Sequence, residues 1–130
     1  MTVERLDISD DLGVSPGYAY ASKATGGTTV YTAGAVPVDQ DGNLIGPGDI
    51  EAQTRAVVAN LQIVLERAGA TADDVVKTTI YVAGAEQADL PKVWSVFAES
   101  PLVAAPSTLL GVTFLGYTGQ LVEIEAIAVI

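Results

Sequence analysis

The segment from Asp49 to Gly69 constrains the fold of this 130-residue chain more than any other part of the sequence. Asp49 is a suitable N-cap, and Gly69 is a suitable C-terminal stop. Between them, apolar residues recur at helical spacing, namely Ile50, Val57, Val58, Leu61, Val64, Leu65 and Ala68. The pattern predicts an amphipathic helix of about twenty residues that covers another layer of structure.

The remaining elements are mostly strands. Alternation, β-branched residues and bounding glycines predict them over Val3–Ile8, Tyr18–Lys23, Thr28–Val38, Val75–Val82, Thr108–Leu115 and Leu121–Ile130. A second helix is predicted over Glu86–Glu99, and Pro91 requires its regular part to begin near Leu90. The order β-β-β-α-β-α-β-β predicts an α+β fold with one mixed sheet and two helices on one face. The length predicts a single domain over residues 1–130.

Composition excludes several kinds of chemistry. The net charge of −10 makes nucleic acid a poor partner, because phosphate backbones are held by clustered Lys and Arg. The absence of Cys and His removes thiol nucleophiles, imidazole bases and zinc sites of the usual kind. We therefore expect no metal and no cofactor.

The sequence also bears on location and assembly. It has no apolar run of membrane-spanning length, and its start, MTVERLDISDD, is acidic rather than basic and apolar. We therefore expect a cytoplasmic protein without a membrane partner. The hydrophobic fraction of 49% is high for one small domain and suggests surface buried between subunits.

Three kinds of residue could carry chemistry. Alternation places Glu123 and Glu125 on one face of the last strand, where one could act as a general base. From spacing alone, a solvated face with two ordinary glutamates is the better interpretation. Tyr18 could contact a planar ligand or only pack at an edge. Gly34 could present a free N–H or mark a close approach of backbone.

Five segments in order carry a resemblance to a known family. They are PGYAYAS, VYTAGAVPVDQDGN, QTRAVVANLQIVLERAGA, DVVKTTIYV and the ending APSTLLGVTFLG…LVEIEAIAV. The chain resembles the RidA family, also called YjgF and formerly L-PSP endoribonuclease. The resemblance implies a chorismate-mutase-like fold, a homotrimer, and small-molecule sites in clefts between subunits. It also implies hydrolysis of reactive imines or enamines to keto acids and ammonia.

The resemblance assigns roles to three residues that match the family pattern. Glu123 stands at the place of the glutamate that positions water. Gly34 matches the glycine that offers its backbone amide, and Tyr18 matches the tyrosine that lines the cleft.

Four other positions depart from the pattern. Thr108 stands where the family has the arginine that holds a substrate carboxylate. Ala33 replaces the usual serine, Pro91 an asparagine, and Leu110 a cysteine. A threonine hydroxyl cannot reproduce a bidentate guanidinium, so the resemblance implies a rebuilt, more apolar pocket.

These observations support two functions. One is an enzyme that acts on an imine, an enamine or a related biosynthetic intermediate that need not carry a carboxylate, unlike a standard 2-imino acid deaminase. The other is a non-catalytic metabolite-binding or chaperone-like protein. The enzyme is preferred, and ribonuclease activity is disfavoured by the charge and the missing histidines. Lys77, on an alternating strand, is predicted to be solvated.

Overall fold

The structure is a computed structural model and describes residues 2–130. The strands are β1 (Thr2–Leu6), β2 (Ala21–Thr25), β3 (Thr29–Tyr31), β4 (Val75–Val82), β5 (Ser107–Gly111) and β6 (Val122–Val129). The α-helices are α1 (Ser9–Leu12), α2 (Ile50–Arg67) and α3 (Asp89–Phe97). Short 3-10 turns lie at Ala72–Asp74 and Pro101–Ala104. The α+β class is confirmed, and α1 is an element that the sequence patterns did not predict.

Helix α2 forms where the sequence predicted it. The Asp49 side chain accepts a hydrogen bond from the Ala52 N–H at 3.0 Å and caps the first turn. Gly69 follows the helix with a φ of +85°, a conformation that favours glycine. Val57, Leu61 and Leu65 form the buried stripe. The helix therefore packs its apolar face on the sheet and leaves its polar face in water.

The central sheet has four strands in the order β3-β6-β4-β5. Strands β3, β6 and β4 are antiparallel neighbours, whereas β5 runs parallel to β4. Helix α3 lies in the connection between the two parallel strands, as such a crossover requires. Pro91 sits within the first turn of α3, where proline costs no helical hydrogen bond.

The two faces of this sheet differ. Ile80 and Val82 of β4, with Ile124 of β6, point into the core under α2 and α3 and are fully or almost fully buried. The alternate residues, including Tyr81 and Glu123, face the other side and are only half-buried. We call this second side the open face. It presents side chains from every strand of the sheet, and no helix covers it in the described residues.

The first two strands do not join the central sheet. β1 and β2 pair with each other in a separate two-stranded sheet. Arg5 of β1 ties this ribbon to the core by donating through Nη2 to the Ala72 and Val75 carbonyls at 2.9 and 3.1 Å. The prediction of one sheet thus holds for β3 to β6, whereas β1 and β2 form a separate two-stranded sheet.

The third predicted strand is much shorter than expected. The pattern predicted Thr28–Val38, but β3 covers only Thr29–Tyr31. Beyond it, Ala35 makes an isolated bridge with Ile124, and the Asn60 Nδ2 of α2 donates to the Val36 carbonyl at 2.8 Å. Pro37 cannot donate in a strand ladder, so the chain leaves the sheet here.

Candidate functional site

Glu123 is held in place on the open face. It lies on β6 and is half-buried. The Gln120 amide, only 4% exposed, donates through Nε2 to Glu123 Oε1 at 3.1 Å and to the Val122 carbonyl at 3.0 Å. Gln120 is thereby fixed between backbone and carboxylate, so the Glu123 side chain has one oxygen bound and one available.

Gly34 packs directly against that carboxylate. A Cβ at Gly34 would lie 2.6 Å from Glu123 Cγ and would overlap Oε2. The position therefore needs glycine because of close approach. Within residues 2–130, the Gly34 N–H donates to no acceptor. A bare amide and a fixed carboxylate thus lie side by side, with Ala33 exposed next to them.

Tyr81 and Glu125 form a second polar pair on the same face. Tyr81 lies opposite Glu123 in the β4–β6 register, but its hydroxyl donates a hydrogen bond to Glu125 Oε1. This bond raises the pKa of Tyr81 above its ordinary value, and burial and the two glutamate charges add to the effect. Tyr81 remains the proton donor at neutral pH, and one oxygen of Glu125 is occupied.

Strand register aligns these groups with the two divergent residues of β5. Leu110 and Glu123 both lie opposite Tyr81, one on each side of it. Thr108 and Glu125 flank Thr79 in the same way, one row further along. Because neighbouring strands are about 4.8 Å apart, the flanking residues have backbones roughly 10 Å apart.

Tyr18 and Pro91 lie elsewhere in the chain. They line an apolar pocket of about 500 Å³ with Leu90, Trp94 and Leu109. The Tyr18 and Trp94 rings meet edge to face with centroids 5.7 Å apart, a favourable aromatic geometry. Leu109 packs against the core, so this pocket lies on the helix side of the edge strand β5.

One chain therefore does not gather all seven predicted site residues. Ala33, Gly34 and Glu123 lie together, and Thr108 and Leu110 share the open face with Glu123. Tyr18 and Pro91 belong to the apolar pocket. The assignment of these seven residues to one site stays a prediction.

Sequence reasoning missed three side chains that shape the open face. Gln120 follows a turn and carries no pattern signal. Tyr81 could have been found, because alternation along β4 places it beside the glutamates of β6. Lys77 was expected in solvent; it is partly exposed, and its Nζ lies 2.6 Å from the Oγ1 of the exposed Thr108. That contact joins residues 31 positions apart.

The described residues offer no metal site. Among residues 2–130, no group of three or more acidic side chains is placed to hold an ion. The same range contains no helix that combines the length and apolarity needed to cross a membrane.

The fold and the open face define a small α+β protein with a half-buried pair on its sheet, the Gly34 amide and the Glu123 carboxylate. The Endoribonuclease L-PSP family model matches residues 13–130. A RutC family protein of Pyrococcus abyssi is 34% identical over 111 residues, which cover 85% of this chain and 84% of that protein.

Solved structures agree. A protein of the conserved Rid family from Yersinia pestis, YyfB, has a TM-score of 0.87 and 32% identity, and both chains are covered in full. RidA from an Antarctic Psychrobacter has a TM-score of 0.70 and 28% identity, with 90% of this chain and 92% of that chain covered. The chain belongs to the RidA/YjgF family, also named for L-PSP endoribonuclease.

Proposed function

We propose that this protein hydrolyses a reactive imine or enamine, with Glu123 handling the proton of the attacking water. The observation that carries the proposal is the arrangement around Glu123. Its carboxylate is oriented by the buried Gln120 amide and lies against Gly34, whose N–H has no acceptor within residues 2–130. A positioned base next to an unused donor suits addition of water to a polarised double bond.

The chemistry needs little besides these groups. Water adds to the carbon of the C=N bond while Glu123 takes its proton, and the same proton then goes to the nitrogen. The resulting carbinolamine loses ammonia and leaves a carbonyl compound. The Gly34 amide donates to the oxygen that becomes the carbonyl, which stabilises charge as it develops. An enamine enters the same route after protonation of its carbon to the imine.

The standard 2-imino acid deaminase activity is not proposed. Thr108 has no guanidinium, so a substrate carboxylate cannot be clamped by two parallel hydrogen bonds at this position. Leu110 and Ala33 also remove polar groups from the surroundings of Glu123. The pocket therefore suits a different imine, one that is recognised more by shape and apolar contact.

A second copy of the chain is needed to complete the site. Tyr18 and Pro91 lie on the helix side of β5, whereas Glu123 lies on the open face. The open face also exposes 75% of Tyr31 and carries the half-buried Leu110 and Ile127, a surface that a neighbouring subunit could cover. We propose a cytoplasmic homotrimer with the site in the clefts between subunits.

The apolar pocket favours the second candidate, a non-catalytic binding protein. Tyr18, Trp94, Pro91 and Leu109 would hold an aromatic or aliphatic group without any base in reach. Ribonuclease activity, which the family model's name suggests, is not proposed. Six basic residues against sixteen acidic ones leave no track for a phosphate backbone.

An ammonia-release assay tests the proposed function. Imines are formed in situ by an amino-acid oxidase, giving 2-iminobutanoate, or by an amine oxidase, giving an imine without a carboxylate. We expect protein that light scattering shows to be trimeric to accelerate hydrolysis of the imine without a carboxylate above the buffer rate, and to accelerate hydrolysis of 2-iminobutanoate less. Acceleration of neither imine would leave the binding protein as the better proposal.

Gly34→Ala is expected to lower this activity by roughly tenfold to a hundredfold, because the new Cβ displaces the Glu123 carboxylate and small misplacements are costly in catalysis. Gly116→Ala is the matched control, since a Cβ there meets nothing within 4 Å. Steady-state rates and melting temperatures of both variants are compared with wild type. Full activity in Gly34→Ala would show that Glu123 has no positional role.

A further inference from the structure

One wall of the apolar pocket is a short loop. It covers residues 14–18, between α1 and β2, and we call it the pocket loop. Its Pro16 and Tyr18 line the pocket, and Trp94 of α3 and Leu109 of β5 line it as well. The shape of the pocket therefore depends on where this loop is held relative to α3.

Most hydrogen bonds of the pocket loop stay within it. The Ser15 hydroxyl donates to the Tyr18 carbonyl and accepts from the Gly17 N–H, a local turn of the kind that serine favours. Gly17 has a φ of +119°, and a Cβ there would lie 3.1 Å from Val103 Cγ2, so the loop packs closely on that side chain. These contacts give the loop its form, but they do not fix its distance from α3.

Trp94 provides the connection to α3. Its Nε1 donates to the Pro16 carbonyl at 3.1 Å, and the two residues are 78 positions apart in the chain. Within residues 2–130, this is the single hydrogen bond that joins the pocket loop to another part of the chain. The Trp94 ring also meets the Tyr18 ring edge to face. One indole therefore holds both the backbone of the loop and the ring that the loop carries.

The pocket offers a ligand little besides apolar contact. Within residues 2–130, no charged side chain lines it. The hydroxyl of Ser107 is engaged, because Thr78 Oγ1 donates to it at 2.8 Å, and the Trp94 N–H is bound to Pro16. The pocket must therefore recognise a ligand by its fit between the walls, and the position of the pocket loop sets that fit.

We propose that Trp94 is a positioning residue, whose bond to the Pro16 carbonyl holds the pocket loop closed on α3 and so makes the pocket specific for a neutral ligand with an aryl group. An aryl group suits walls that are themselves aromatic. This role rests on the proposed function, because Tyr18 belongs to the predicted site. When the bond is missing, the loop is closed for a smaller fraction of the time, and the apparent affinity falls by the same factor.

The indole N–H can be removed by itself, because Trp94 is the only tryptophan of the chain. Protein made in a tryptophan-requiring strain with 3-benzothienylalanine has sulfur in place of this N–H and keeps the shape of the ring. The whole protein is titrated with benzamide, a stable and neutral analogue of an aryl imine, and binding is followed by NMR. We expect saturable binding to wild type and about threefold to tenfold weaker binding to the benzothienylalanine protein, the range that one lost hydrogen bond predicts.

Two variants and one structural measurement accompany the titration. Trp94→Phe also lacks the donor and should weaken benzamide binding at least as much. Tyr117→Phe, at an exposed position between β5 and β6, is the matched aromatic control and should bind benzamide as wild type does. Nuclear Overhauser contacts between the rings of residue 94 and Tyr18 should weaken in the benzothienylalanine protein, because the loop is closed less often.

The outcomes separate this role of Trp94 from the proposed function. Equal affinity for benzamide in wild type and in the benzothienylalanine protein would overturn it, and so would absence of benzamide binding to wild type. Neither result touches hydrolysis of an imine by Glu123. Conversely, absence of turnover would remove the proposed enzyme and leave the binding measurement intact. Where the imine formed from benzylamine is turned over, the benzothienylalanine protein should show a raised KM and a kcat within about twofold of wild type, which general damage to the fold would not give.

Discussion

Glu123→Gln is expected to reduce the rate of imine hydrolysis at least about a hundredfold, because a positioned general base contributes 10² to 10⁴ in rate. The amide keeps the shape of the side chain, and its oxygen can still accept from Gln120 Nε2. The fold should therefore survive, and the melting temperature should change little. Initial rates of ammonia release, together with thermal unfolding of both proteins, make the measurement.

Two further variants test whether the loss of rate is specific to Glu123. Glu66→Gln, on the exposed side of α2, should be indistinguishable from wild type. Glu125→Gln changes the acceptor of the Tyr81 hydroxyl and should cost less than tenfold, because that oxygen is already engaged. A larger loss at Glu125 than at Glu123 would mean that the wrong glutamate has been assigned as the base.

Gln53→Leu is expected to destabilise the fold by about 2–3 kcal/mol, or roughly 10 °C in melting temperature. Gln53 is fully buried on α2. Its Nε2 donates to the Gly46 and Gly119 carbonyls at 3.2 and 3.0 Å, and its Oε1 accepts from the Leu121 N–H at 2.8 Å. Leucine fills a similar volume but leaves these three backbone groups without their partner.

Gln62→Leu on the exposed side of the same helix is the control, and a change within about 0.5 kcal/mol is expected there. Because Gln53 holds the backbone next to Gln120, its replacement should also loosen the support of Glu123 and lower activity. Melting temperatures of both variants are measured by thermal unfolding followed by circular dichroism. Equal melting temperatures would contradict the role assigned to Gln53.

Much of the fold could be predicted from local patterns. The helix from Ile50 to Arg67 is capped by Asp49, carries a stripe of apolar residues and is followed by Gly69, so local sequence was enough to predict it. The strand Val75–Val82 was predicted with its observed bounds. The end of β3 was predicted poorly, because a run of small and β-branched residues does not reveal where a chain leaves a sheet. The separate pairing of β1 with β2 depends on contacts such as Arg5 with the Ala72 carbonyl, which no local pattern encodes.

The candidate site divides in the same way. Alternation alone placed Glu123 and Glu125 on one face, and the resemblance added Gly34 and Tyr18. The support of Glu123 by Gln120 could not be seen, since it depends on the turn that brings the amide back to the strand. The Lys77–Thr108 contact could not be seen either, because it joins residues of two strands that are 31 positions apart in the chain.

The sequence by itself determined the order of the main elements, the acidic charge, and the absence of thiol and imidazole chemistry. These properties are local or compositional, so each can be read from a short stretch of residues. Only the tertiary structure decided that Lys77 contacts Thr108, that Gly34 makes room for Glu123, and that Tyr18 lies across β5 from them. Strand register brings together residues far apart in the chain, and it is fixed by the packing of the whole sheet against its helices.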